Sequence, residues 1–164
     1  MDLQAIADDL QSLLVEAIDL FLTSKQASWV LGRPLFDPLS AELGDLAAEA
    51  LGWADAVGAR LAVMGVAPDG RVGTVAEQVR CPSFPGGFVD DADAVAPILV
   101  RLNEMIEKCP RRIAPLRERD PVSENLLLNK TAGLVKHRWM LVSQESDASP
   151  PLDFAARRPR TAWG

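Results

Sequence analysis

The chain has little of what marks an extracellular, membrane or β-rich protein. Two cysteines, Cys81 and Cys109, stand far apart in its 164 residues. They exclude a disulfide framework and predict a reducing, cytoplasmic address. Tyrosine is absent and aromatics make up only 5%; with Ala and Leu dominant, this favours helix over sheet. No apolar run approaches the roughly 18–20 residues that span a bilayer. The amino-terminal stretch begins acidic and helical, without the basic flank and apolar core of a signal peptide. Positive charge is the minority: 17 Lys and Arg face 23 Asp and Glu, for a net charge of −6. That balance argues against a surface that is wholly a nucleic-acid footprint. Histidine occurs once, at position 137.

What is present is 48% hydrophobic and 24% charged residues, a globular composition of a size that fits one domain. Apolar residues recur at Leu3, Ala7, Leu10, Leu14, Ala17 and Phe21, predicting a first long helix over 3–31. Gly32-Arg33-Pro34 stops it. A second helix is predicted over 37–64, capped by Asp37 with Pro38 in its first turn. It carries a bulky stripe (Leu39, Leu43, Leu46, Trp53, Val57, Leu61, Met64) beside a small one (Gly44, Ala48, Gly52, Asp55, Ala59, Ala62). The first suits a core, and the second lets another helix approach closely.

Ala67-Pro68-Asp69-Gly70 is a turn, and Thr74 with Glu77 has the spacing of a capping box for a short helix over 74–79. A third long helix is expected over 90–119 with Asp90 and Asp91 at its positive end. Pro110 and Pro115 fall in its interior and predict a kink or break after Cys109. Asp120-Pro121 opens a fourth helix, to about residue 144, with Leu127, Leu134, Trp139 and Leu141 as apolar positions. Residues 146–164 hold three prolines and no period, and are expected to form a mobile tail after a bundle over 1–145. The fold class is all-α: a four-helix bundle with one long crossover carrying a short extra helix.

Several strings lift the chain above this general description. Lys25-Gln26-Ala27-Ser28-Trp29 resembles the Lys-Gln-Ala-His-Trp string on the first helix of Dps proteins, the DNA-binding miniferritins of the ferritin-like superfamily. Trp53-Ala54-Asp55-Ala56-Val57-Gly58-Ala59-Arg60 is similar to their Trp-Ala-Asp-x-Ile-Ala-Glu-Arg. Val66–Gly70, Phe84-Pro85 and Lys136-His137-Arg138-Trp139-Met140-Leu141 fall where the family has like strings, and the register holds over about residues 4–145. The resemblance implies a dodecameric hollow shell that oxidises ferrous iron with peroxide and stores the product. Its ferroxidase site lies between two subunits, with two histidines from one and an aspartate and a glutamate from the other. Imidazole and carboxylate donors grip iron while leaving positions open for oxidant.

Carried over residue by residue, the histidines become Ser28 and Ser40, the aspartate is Asp55, and the glutamate is Ala59. Three of the four donors are replaced. A structural role for Asp55, bonded to Arg60, Ser28 or Ser40 across the interface, is favoured over residual metal binding. His137 lies in the string on the last helix, away from these positions, and a lone helical histidine is more often packed or solvent-facing than a ligand. The family's acidic cluster at an iron pore is represented by Asp120 and Glu124, with Asn125 where an aspartate is common.

Three readings follow. The first is a Dps-like oligomer, dimer or dodecamer, without ferroxidase activity and with a structural, stress-protective or DNA-associated role. DNA would be held by the tail residues Arg157, Arg158 and Arg160 by avidity across an oligomer, giving a nucleoid-associated location. The second is a ferritin-like scaffold turned into an enzyme or small-ligand binder at a subunit interface lined by Ser28, Trp29, Ser40, Asp55 and Ala59. The third is a shell subunit that co-assembles with an active Dps relative. No resident cofactor is expected, and iron enters by resemblance only. No catalytic residue is assigned.

Overall fold

A computed structural model describes residues 3–32, 38–117 and 119–145. The expected Asp37 cap, the Arg33-Pro34 step and the tail with Arg157, Arg158 and Arg160 lie outside the described residues. Among the described residues five α-helices follow in order: α1 (Leu3–Val30), α2 (Pro38–Val63), α3 (Val72–Gln78), α4 (Asp91–Ile113) and α5 (Pro121–Glu145). α1 packs on α2 and α4, and α5 packs on the same two helices, so the four long helices form a bundle; the short α3 lies against α1.

The topology follows from where the ends meet. Leu31, just past α1, pairs in parallel with Val89, just before α4. Val89 donates to the Val30 carbonyl at 3.0 Å, and Gly32 donates to that of Val89 at 3.2 Å. α4 therefore starts at the end of the bundle where α1 stops. Ser40, in the first turn of α2, donates to the carbonyl of Ser28 near the end of α1 at 3.4 Å, so α2 starts at that same end, α2 and α4 run parallel, and the chain between them must travel the length of the bundle. This is the long crossover expected from the sequence.

Each junction has a local cause. α2 stops at Gly65, whose φ of +78° lets Gly65 and Val66 donate back to Ala62 and Leu61 at 3.0 Å, closing the orphan carbonyls of the last turn. Gln11 on α1 then clamps the following turn, donating to the Asp69 carbonyl at 2.8 Å and accepting from the Asp69 amide at 2.9 Å. Asp90 caps α4 by accepting from the Asp93 amide. Asp120 does the same for α5, accepting from the Ser123 amide at 3.0 Å.

Three expectations need correction. The short helix starts at Val72 rather than Thr74, and no capping box forms. Arg71 occupies the cap position without a side-chain bond, while the Thr74 hydroxyl donates to Asp69 at 2.8 Å. Asp69 already binds Arg71, and this nearby carboxylate takes the hydroxyl that would have capped. The third long helix does not break after Cys109. It runs through Pro110 to Ile113 and tightens into a 3-10 turn, Ala114–Leu116, that absorbs Pro115 near its start, where a missing N–H costs nothing. Trp139 is not a core position: it is 63% exposed, because the buried stripe of α5 runs Leu127, Lys130, Leu134, His137, Leu141 and Trp139 stands off it.

The core is the set of bulky stripes read from the sequence. Leu10, Leu20, Leu43, Leu46, Val57, Leu61, Ile98, Leu102, Leu134 and Leu141 are among its fully buried members. The two faces expected of α2 are also present. Its bulky stripe is packed inward, whereas Ala48, Gly52, Asp55, Ala59 and Ala62 are all exposed, and nothing stands within 4 Å of a Cβ built at Gly44 or Gly52. Among the described residues no helix covers that small face.

Candidate functional site

Ser28 lies two residues before the end of α1, and Ser40 in the first turn of α2. Neither hydroxyl proton is free. The Ser28 hydroxyl donates to the Lys25 carbonyl at 2.8 Å, and that of Ser40 to the Ser28 carbonyl at 3.4 Å. Trp29 beside them is 66% exposed, with the Lys25 ammonium 5.7 Å from its ring centre. Asp55 and Ala59 sit one turn apart on the outward face of α2, both exposed.

Fifteen residues of helix separate Ser40 from Asp55, about 22 Å at 1.5 Å per residue. The structure thus holds the four positions as two separated pairs and does not bring them together within one chain. Asp55 makes no hydrogen bond or ion pair among the described residues. Arg60, one expected partner, is engaged elsewhere in its own chain. Its guanidinium holds both Asp120 oxygens at 2.8 Å and donates to the Ser123 hydroxyl at 2.9 Å.

Asp120 is therefore a buried, fully partnered carboxylate. Burial pushes its acidity down, but the Ser123 hydroxyl, the Arg60 guanidinium and the Ser123 amide outweigh that and hold its carboxyl below the usual range. Glu124, one turn on, lies 3.8 Å from Arg117 and is half-buried.

The sequence reading did not find the partners of the most enclosed ionisable side chain among the described residues. His137 is 1% exposed, and its Nδ1 lies 2.6 Å from Oε1 of Glu42, itself 5% exposed. On the other side, Nε2 is 3.2 Å from Oε2 of Glu49 without hydrogen-bond geometry. Trp53 stands edge-on to the imidazole at 6.4 Å. Burial raises the Glu49 carboxyl, but the Lys136 hydrogen bond and the closeness of the His137 imidazole outweigh it, and the net direction is down. Below this group, the buried Lys130 donates to the Trp53 carbonyl at 3.0 Å, and burial lowers its ammonium to about 8. The signal was available: Glu42, Lys130 and His137 each interrupt a buried stripe at helical spacing, and an ionisable group there requires a partner. The two carboxylates approach opposite nitrogens of one ring, so the trio does not converge on a point. Among the described residues no group of three or more His, Cys, Asp or Glu side chains is placed to hold a metal ion.

A family model described as a ferritin-like domain matches residues 7–148, and the chain belongs to the ferritin-like family. Within it the chain is a Dps-type miniferritin. It is 30% identical over 155 residues to DNA protection during starvation protein 2 of Deinococcus radiodurans, covering 93% of this chain and 64% of that protein. It thus spans just under two thirds of that relative's length. The fine tangled pili major subunit of Haemophilus ducreyi is 30% identical over 136 residues, covering 83% of this chain and 72% of that one. The crystal structure of Dps92 from Deinococcus radiodurans superposes with a TM-score of 0.81 at 30% identity, covering 87% of this chain and 86% of that one. The expected four-helix, single-crossover fold is borne out. No described helix is long and apolar enough to cross a membrane.

Proposed function

We propose that this chain is a shell-forming Dps-type subunit that does not oxidise iron at the inter-subunit position, and whose role is structural, stress-protective or DNA-associated. The observation that carries this reading is donor scarcity. The two hydroxyls at the histidine positions already donate to backbone carbonyls, the glutamate position is a methyl group, and Asp55 is a lone exposed carboxylate. One carboxylate with neutral hydroxyls does not hold ferrous iron against water. Iron in this family is cargo, and the positions present do not fit it.

Self-assembly is supported by the uncovered small-residue face of α2, which bears Asp55 and Ala59 and has room for a second helix. The separation of the two residue pairs by about 22 Å along α2 agrees with positions that meet only between subunits.

The deciding experiment is anaerobic ferrous titration followed by peroxide, run beside a triple variant carrying Ser28→His, Ser40→His and Ala59→Glu. The natural chain is expected to show no peroxide-dependent oxidation above background, and the triple variant to gain it. Equal turnover in both rejects the reading. Exposed, unpaired Asp55 also favours a second arrangement, in which an active relative supplies the missing donors. A stable homo-oligomer of the isolated chain, by native mass, removes the need for it. The DNA-associated role rests on Arg157, Arg158 and Arg160; unchanged retention of duplex at low salt after their replacement by Ala would refute that contribution.

A further inference from the structure

Between α1 and α4, roofed by the segment that follows α3, lies a cleft of about 270 Å3. Two buried guanidiniums form its floor. Arg101 donates to Asp19 at 2.6 Å and to the carbonyls of Pro82 and Pro97 at 3.1 and 3.0 Å. Arg112 makes a two-armed pair with Glu16 at 2.6 and 2.9 Å. Each floor cation is thus matched by a carboxylate of α1.

The mouth is only partly matched. Lys108 reaches Glu16 at 3.0 Å, although Arg112 already holds both oxygens of that carboxylate, and Glu104 only at 3.6 Å. Arg111 is 71% exposed and comes no nearer than 3.6 Å to Asp9, which it shares with Arg112. Arg80 is exposed and makes neither hydrogen bond nor ion pair among the described residues. Val79 and Met105 supply an apolar wall. Cationic side chains therefore outnumber carboxylates around a concave, partly apolar space, the combination that recognises a compact anion with a carbon skeleton. At about 30 Å3 per water-sized unit, the space suits a molecule of about ten non-hydrogen atoms.

We propose that this cleft binds a small phosphorylated organic anion, its phosphoryl group held by Arg80, Lys108 and Arg111 and its skeleton against Val79 and Met105. The site is independent of the iron reading, since no residue in it belongs to the inter-subunit positions.

Calorimetric titration of the assembled full-length protein tests this, with glycerol 3-phosphate, inorganic phosphate and a short DNA duplex as three separate probes. Glycerol 3-phosphate is expected to saturate at one per chain, with inorganic phosphate weaker for lack of the apolar contact. Combined Arg80→Ala and Arg111→Ala should raise Kd at least about tenfold, the loss of two charge-assisted contacts. Arg138→Ala, an exposed cation on α5, should leave Kd unchanged. Both cleft arginines are exposed, so unchanged melting confirms that the variants fold. The proposal is overturned by absence of saturable heat with glycerol 3-phosphate, by binding indifferent to the double substitution, or by an equal loss in Arg138→Ala. It is likewise overturned if only the duplex binds and the same two substitutions abolish that binding.

Discussion

Glu42 and His137 meet across the α2–α5 interface with Oε1 and Nδ1 2.6 Å apart and both side chains withdrawn from water. A buried hydrogen-bonded pair of this kind adds little net stability when intact, yet costs several kcal/mol when one partner is removed, because the survivor stays buried without a mate. Glu42→Ala is expected to destabilise by about 3 kcal/mol, read as a lower urea midpoint. Glu42→Leu combined with His137→Leu should lose less than the sum of the single changes. Additive losses would show that the pair is not energetically coupled.

Asp120 links Arg60 on α2 to the start of α5 and caps that helix as well. Asp120→Asn is expected to cost about 2 kcal/mol at neutral pH, through the lost ion pair and a weakened cap. Its folded-state carboxyl lies below the unfolded one, so the contribution is complete above about pH 4 and fades as pH falls through the folded value. Melting curves of the wild type and variant should converge on acidification; a constant gap down to strongly acid pH would contradict the assignment.

Lys130 behaves in the opposite region of pH. Burial lowers its ammonium from 10.5 to about 8, so between those values the unfolded chain binds more protons than the folded one, and stability rises with pH. Relative to Lys130→Met, the wild type should gain on the order of 2 kcal/mol between pH 8 and 10.5, discounted for residual hydration. Urea midpoints across that range provide the check, and a flat difference would place the ammonium in water.

Glycines on two helices should respond oppositely to added bulk. A Cβ at Gly133 would lie 2.7 Å from Cζ2 of Trp53, so Gly133→Ala should destabilise by about 1–3 kcal/mol despite better helix propensity. At Gly52 there is open space within the chain. Gly52→Arg should leave the subunit folded yet reduce the native mass of the assembly, as the proposed helix-against-helix contact requires. An unchanged oligomer would remove that face from the assembly.

The positions of the helices, the crossover and the two faces of α2 were legible because each depends on short-range chemistry: a period of three and four residues, an aspartate before a proline, a glycine after the last turn. Where short-range signals competed, the reading slipped. Thr74 had the right spacing for a cap, but Asp69 lay close enough in the fold to take its hydroxyl. Pro110 predicted a kink or a break, yet the helix runs on through it to Ile113 and gives way to a 3-10 turn around Pro115.

The sequence by itself determined that the chain is a four-helix bundle of the Dps kind and that three of its four carried-over positions have no imidazole or carboxylate. The bundle rests on residue identity and spacing, and the Dps kind and its carried-over positions rest on the resemblance of short strings to a known family; neither needs knowledge of distant neighbours. Only the tertiary structure decided that Arg60 belongs to Asp120 rather than to Asp55, that Glu42 answers His137, and that an arginine-rimmed cleft opens between α1 and α4. Helical periodicity says which side of a helix faces inward, but the axial offset and rotation of one helix against another come from the packing of the whole core. Contacts between residues as far apart as 42 and 137 depend on those two quantities.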